Sequence, residues 1–376
     1  MVGLQAAWLF DAGYRVVALL GLFGAVLPMV FGMAYLLIPS YVGRTLSTGR
    51  LPGVQFVASY VGTGLLVAHE LFGLRRIVMT AGIVCWSIGV AVFVATLLRT
   101  VGPALGTSQD LVGLSGTQSR RSTRLATVAI PVGFGYLVAG TVVLLSIAFD
   151  LPIPLTPTFP TVVHFYATGF VALLIFALGV QLMAGFFRVA PPRPLTYLLL
   201  LSGGIAPGLL ATTFYRPPWF VVGAGLELVA MVGYGVAVTI VVSRTDRRRV
   251  GLSGIWLGAL AGVLAVGVAV ARVTGFLDPL AIGVHVVGAL NGFLLLTVLG
   301  YAYQFFPVTS GQFPGATERS GRTTILLLGT GTGLYALGTA VELPWLPIAG
   351  GVLSFLGAGG YAYLMVRRLR WGLNGE

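Results

Sequence analysis

The sequence predicts an all-α, polytopic membrane helix bundle with about eleven transmembrane helices. Three observations predict it: the composition, the number of long apolar stretches and the placement of the arginines. Apolar residues make up 57% of the 376-residue chain and charged residues only 9%, and the mean hydropathy is +0.97. Because water-soluble domains carry a charge on about a quarter of their residues, the composition places this chain in a bilayer.

The apolar stretches give the number of helices. A bilayer core about 30 Å thick needs about 20 apolar residues per helix. On that measure the spans fall at about 14–38, 54–73, 77–98, 125–149, 161–187, 195–215, 219–243, 252–274, 279–306, 322–341 and 345–366.

The arginines give the orientation, since all 22 basic residues are arginine. If the N-terminus is outside, only five of the 22 fall in outer segments, namely Arg15, Arg75, Arg76, Arg216 and Arg272. The positive-inside rule therefore predicts an outside N-terminus and a cytoplasmic C-terminus. The lysine-free composition is typical of a GC-rich prokaryotic genome, so we expect a prokaryotic cell membrane.

Residues 1–376 are predicted to form a single transmembrane domain. The longest loop, about 99–124, is rich in Ser, Thr, Gly and Arg and is expected to be mobile and on the inner side. The net charge of +12 belongs to membrane topology, so no nucleic-acid partner is expected. The single cysteine, Cys85, excludes an internal disulfide and a multi-thiolate metal site.

Two helix ends carry the same string, G-x-A-Y-x-x-x-P-x-x-x-G. One copy runs from Gly32 to Gly43 and the other from Gly300 to Gly311, and each has a further glycine eight residues upstream. Such a repeat indicates that two helices play equivalent parts in one fold. Seven residues before the upstream glycine, the second copy has His285 and the first has Val17. Only the second copy has a metal-competent side chain there.

The candidate site residues are the three histidines and two acids. The predicted topology puts His69, His164 and His285 in the outer third of the bilayer. Histidine in hydrocarbon is costly unless it is paired or ligated, so each is a candidate ligand of a metal or haem iron. The alternative for each is a hydrogen bond to a helix carbonyl or to interfacial water. Glu70 and Glu227 are candidate proton or polar sites, and the alternative for Glu227 is a neutral acid bonded to a tyrosine or a carbonyl.

The repeated string and the topology resemble subunit I of the haem-copper oxidase superfamily. That family's second helix ends in G-x-x-N/A-Y/W-L-V-P-x-x-I-G, and this chain reads GMAYLLIPSYVG over 32–43. The family's tenth helix carries H-x-H, a glycine and then G-F-Y-Y-W-F-P-K-x-T/S-G, and this chain reads GYAYQFFPVTSG over 300–311. The family has twelve helices with the N-terminus inside. The resemblance therefore implies a cytochrome oxidase subunit I-like fold that lacks the first helix.

The resemblance also shows what is missing. The family's low-spin haem needs a histidine near Val17, its copper site needs a histidine pair, and an arginine pair in the last outer loop holds the haem propionates. This chain has none of these. The resemblance accordingly implies a haem-binding protein without a complete copper site, and not a functional terminal oxidase. No catalytic residue is assigned and no copper is expected.

The cofactor that the resemblance implies is one haem b near the outer face. His285 is its expected proximal ligand, and His164, on a neighbouring helix in the family's pseudo-threefold arrangement, is the second ligand or a distal group. His69 is the remaining candidate. The implied roles are electron transfer, gas binding or an accessory function, and the expected partners are the lipid bilayer and other respiratory or membrane subunits.

Two alternatives remain open. The first is a cofactor-free membrane scaffold or assembly subunit that kept the fold and lost the chemistry. The second is a small-solute transporter. The two repeated helices run in the same direction, whereas many transporters are built from inverted repeats with broken helices at the midplane.

Overall fold

The computed structural model describes residues 1–41, 43–105, 117–277 and 281–374, and these residues form helices and no strand. Eleven of the described helices are long and apolar enough to cross a membrane, which confirms the predicted class of an all-α, multi-pass membrane protein in contact with lipid. They are numbered here as spans 1 to 11: Tyr14–Tyr41, Leu51–Phe72, Arg76–Pro103, Leu125–Phe149, Phe159–Phe187, Arg193–Thr212, Trp219–Arg244, Val250–Val273, Ile282–Ser310, Glu318–Val341 and Trp345–Gly372.

Several helices extend beyond their apolar stretches. The helix of span 3 runs Arg76–Leu105 and that of span 4 runs Thr117–Phe149. The loop predicted for 99–124 is therefore helical at both ends, and the prediction was wrong there; its residues 106–116 lie outside the described part of the chain. Hydropathy marks where apolar side chains stop, whereas helical hydrogen bonds continue through polar residues as well.

Three spans contain a π-helical segment of eight residues, which the sequence did not predict. The segments are Leu19–Val26 in span 1, Phe165–Ala172 in span 5 and Gly288–Leu295 in span 9. π-Helical turns are rare and are frequent at functional sites. They occur here every fourth span, and the first and third coincide with the upstream glycines of the sequence repeat.

The chain divides into two compact units. The early unit comprises 13–180 and 200–223, and the late unit comprises 1–12, 181–199 and 224–376. The prediction of one domain stays a prediction.

The core of the early unit is aromatic. Phe23, Phe31, Trp86, Phe93, Tyr166 and Phe170 have no exposed surface. The ring centroids of Phe23 and Trp86 lie 4.6 Å apart, and those of Phe31 and Phe93 lie 4.3 Å apart. The indole Nε1 of Trp86 donates to the hydroxyl of Tyr166 at 3.1 Å. These rings fill the space between spans 1, 3 and 5.

The core of the late unit is formed by backbones in close contact. Span 8 carries a stripe of glycines (Gly251, Gly254, Gly258 and Gly262) that packs against span 9. A Cβ added to Gly300 would lie 2.7 Å from both the Gly251 oxygen and the Ile255 nitrogen. Only glycine therefore allows spans 8 and 9 to approach this closely, as is common for small residues in membrane helix pairs.

A short N-terminal helix, Val2–Leu9, also belongs to the late unit. Leu4 and Gln5 are fully buried. The two side-chain amides of Gln5 and Asn291 form a reciprocal pair, with N···O distances of 2.8 and 3.0 Å. Because Asn291 lies inside the third π-helical segment, the N-terminal helix contacts span 9 at that segment.

Candidate functional site

His285 lies on span 9, three residues before the third π-helical segment. Its Nδ1 is 3.0 Å from the carbonyl oxygen of Ala265 on span 8. A carbonyl only accepts hydrogen bonds, so Nδ1 carries the proton and Nε2 keeps its lone pair. Gly288 brings the two helices together at this level, because a Cβ added there would lie 2.9 Å from the Ala265 Cβ.

Arg272 lies near His285 at the same end of the late unit. It is in the last turn of span 8, seven residues beyond Ala265, and its charge acts on the imidazole of His285. A histidine whose Nδ1 donates to a backbone carbonyl is held in the way that metal-ligating histidines usually are.

His164 is the last residue before the second π-helical segment, and it lies in the early unit. Its Nδ1 is 2.8 Å from the carbonyl oxygen of Pro160, and its ring meets the edge of Phe214 at a centroid distance of 5.0 Å. By the same argument as for His285, Nδ1 donates to the carbonyl, and the proton is therefore not on Nε2 in the neutral ring.

His69 and Glu70 lie at the end of span 2, and both make structural contacts. The His69 Nδ1 is 2.7 Å from the carbonyl oxygen of Leu74, just beyond the left-handed Gly73 that ends the helix. Glu70 pairs with Arg15 of span 1 at 3.1 Å. His69 makes the same kind of contact as the other two histidines, but its contact is exposed and lies at the end of its own helix, so His69 is the weakest of the three candidate haem ligands.

Glu227 is buried in span 7, with only 4% of its surface exposed. Its Oε2 has no hydrogen-bond partner among the described residues. The bond to a tyrosine or carbonyl that the sequence left open is therefore not made by this oxygen. On the same face of span 7, one and two turns further along, lie Met231 and Tyr234, which contact Gly262 and Phe293.

Several polar residues of the late unit were missed by the sequence analysis. They are the amide pair of Gln5 and Asn291, the hydroxyl pair of Tyr234 and Tyr301 at 3.4 Å, and the buried Thr297 and Gln304. The available signal was a polar side chain inside an otherwise apolar span, but it does not reveal which of these residues face one another.

The predicted site residues are distributed over both units. Glu227 and His285 belong to the late unit, and His69, Glu70 and His164 belong to the early unit. Within the described ranges, no group of three or more His, Cys, Asp or Glu side chains is placed to hold a metal ion. A haem with one or two histidine ligands needs no such group.

The chain matches no protein-family model, and no curated protein matches it.

Proposed function

We propose that the protein is a membrane haem protein with a cytochrome oxidase subunit I-like fold, in which His285 ligates one haem b through Nε2. The observation that carries the proposal is the hydrogen bond from the His285 Nδ1 to the Ala265 carbonyl. It orients the imidazole and leaves the Nε2 lone pair for iron, which is how ligating histidines are usually held.

The residues around His285 fit this group. The Ala265 carbonyl fixes the ring, and the nearby Arg272 supplies a positive charge that can neutralise a haem carboxylate. A bound haem would supply one-electron transfer or gas binding. Two histidine ligands would favour electron transfer, and an open sixth position would favour gas binding.

The proposal includes the setting of the protein. We place it in a prokaryotic cell membrane with the N-terminus outside and the C-terminus cytoplasmic, because five of 22 arginines lie in outer segments under that topology. Other respiratory or membrane subunits are its proposed partners. Reporter fusions at the two termini should report opposite sides, and the same side for both would refute the topology.

A visible spectrum tests the haem. The protein purified in detergent from haem-replete cells should show a Soret band, and pyridine haemochrome should identify haem b. His285→Ala should abolish the band, whereas the matched control His69→Ala should leave it nearly intact, because His69 lies at an exposed helix end. A Soret band that survives in His285→Ala, or its absence from the wild type, would refute the ligand assignment.

Metal analysis tests the absence of a complete copper site. We expect iron without stoichiometric copper and no reduction of oxygen to water, since three histidines cannot supply both a haem ligand and a three-histidine copper site. One tightly bound copper per chain, together with oxygen turnover, would overturn this part of the proposal.

A cofactor-free scaffold is the second candidate, and one observation favours it. The early unit has Val17 where the family has a haem ligand, and aromatic rings fill its core. If both units act only as scaffold, the wild type purified from haem-replete cells will lack a Soret band and will still co-purify with a membrane complex.

A further inference from the structure

Span 9 of the late unit buries polar side chains for which the described residues offer no hydrogen-bond partner. Thr297 has no exposed surface and Gln304 has 3%, and the Thr297 Oγ1 and both amide atoms of Gln304 lack hydrogen-bond partners among the described residues. Thr332 and Thr339, by contrast, donate to carbonyls four residues earlier. Buried polar groups are normally hydrogen-bonded, so an unpartnered cluster requires an explanation such as ordered water.

The glycine stripe of span 8 leaves the room that these side chains occupy. A Cβ added to Gly251 would lie 2.7 Å from the Gln304 Nε2, and one added to Gly258 would collide with the Thr297 hydroxyl. Gly251 is the second residue of span 8. Gln304 therefore lies within about one turn of the start of span 8. Arg247, Arg248 and Arg249 directly precede span 8, and we call this end of the late unit the arginine end.

A pair of tyrosines continues the row of polar groups towards the middle of span 7. Tyr301 is one turn before Gln304 on span 9, and its hydroxyl lies 3.4 Å from that of Tyr234, which is fully buried. Two turns further from the arginine end, on the same face of span 7, stands Glu227 with its unpartnered Oε2. The distance along the helix from Glu227 to Arg244 is about 25 Å.

We infer that Glu227 is a proton-binding site that exchanges protons with water at the arginine end, through Gln304, Tyr301 and Tyr234. A proton from bulk water passes to water held by the Gln304 amide. Each tyrosine hydroxyl then accepts one proton and releases its own. Ordered water carries the proton over the two helical turns from the Tyr234 hydroxyl past Met231, and the last transfer protonates the Glu227 carboxylate. The return path reverses these steps, and no group is oxidised or reduced.

The chemistry of the row favours a proton over a metal cation. Hydroxyls both donate and accept hydrogen bonds, and an amide orients water without carrying charge. Glu227 is the only carboxylate in the row, and a hard cation requires several oxygen ligands. The path needs no haem, so a failure of the proposed function would not contradict it.

Infrared spectroscopy of the full chain in lipid tests the path. The Glu227 side chain should give a carboxylic C=O band that is absent in Glu227→Gln, shifts in Glu227→Asp, and moves to lower wavenumber after exchange into D2O. Tyr301→Phe and Gln304→Leu should slow that exchange by about tenfold or more, since each removes a relay or a water-holding group.

Tyr303→Phe is the matched control. Its hydroxyl lies 2.7 Å from Thr324 Oγ1, away from the row, so the exchange rate should stay within about twofold of wild type. The inference is overturned if no exchangeable band depends on Glu227. It is equally overturned if Tyr301→Phe exchanges as fast as wild type, or if Tyr303→Phe slows exchange as much as Tyr301→Phe does.

Discussion

Spans 1–3 of the early unit and spans 9–11 of the late unit share two structural features that accompany the sequence repeat. The repeated tyrosines, Tyr35 and Tyr303, each meet an aromatic ring two spans later, Phe93 at 5.1 Å and Tyr361 at 5.0 Å. In both copies the second span ends in a left-handed residue, Gly73 with a φ of 59° and Glu342 with a φ of 55°. The repeat that the sequence shows in one helix therefore extends over three.

The copies differ in what they bury. Five polar residues of span 9 have counterparts in span 1 at the separation of the repeated glycines Gly32 and Gly300. The pairs are His285 with Val17, Asn291 with Phe23, Thr297 with Met29, Tyr301 with Met33 and Gln304 with Leu36. Every polar side chain in this set has an apolar counterpart. The first copy forms the same helices without these polar groups, so the helices do not require them. Asn291 is explained by its pairing with Gln5, and for the others a function in the late unit is the better explanation.

The largest expected effect on stability is the difference between alanine substitutions at the two repeated glycines. Gly300→Ala should lower the free energy of unfolding by about 3 kcal/mol, because the new Cβ meets backbone atoms of span 8 that cannot move aside. Gly32→Ala should be neutral or raise it by up to about 1 kcal/mol, because nothing lies within 4 Å of the new Cβ. Denaturation midpoints of the two variants in one detergent measure the difference, and equal midpoints would contradict the asymmetry.

A smaller effect is expected at the aligned positions Phe23 and Asn291. Asn291→Leu should lower the free energy of unfolding by about 1–3 kcal/mol, because the buried Gln5 amide loses its partner. The double variant Gln5→Leu with Asn291→Leu should recover much of this loss, since no amide is then left unpaired. A double variant less stable than the sum of the two single changes would show that the pair is not what holds the N-terminal helix.

The smallest effect is expected at the ends of spans 2 and 10. Glu342→Gly should raise the free energy of unfolding by about 1 kcal/mol, because a left-handed backbone costs that much for a residue with a Cβ. Gly73→Ala should lower it by a similar amount for the same reason. A loss of stability in Glu342→Gly would indicate that the glutamate side chain contributes a contact that outweighs its backbone conformation.

Hydropathy predicted the number of spans correctly because each helix must cover the same bilayer thickness with apolar side chains. It missed the Val2–Leu9 helix, which is too short to cross. It also placed helix ends where the apolar residues stop, whereas the helix of span 3 continues to Leu105 and that of span 4 begins at Thr117. The π-helical segments also escaped prediction, since an extra residue per turn leaves no mark in composition.

The candidate site was predictable in part. Rare polar residues in apolar spans pointed to His285 and Glu227. Their surroundings were not readable from the sequence, because Ala265 contributes only its backbone carbonyl and the hydroxyl pair of Tyr234 and Tyr301 joins residues 67 positions apart. Contacts made by backbone atoms and by distant side chains depend on how the helices pack.

The glycine stripe of span 8 has a consequence for biogenesis. Span 9 carries a histidine, an asparagine and a glutamine, and such a helix enters hydrocarbon alone at a considerable cost. The helix that shelters its Thr297 and Gln304 side chains precedes it in the chain, so it leaves the ribosome first. We therefore expect spans 8 and 9 to leave the translocon as a pair, with the glycine face of span 8 already in place when span 9 arrives.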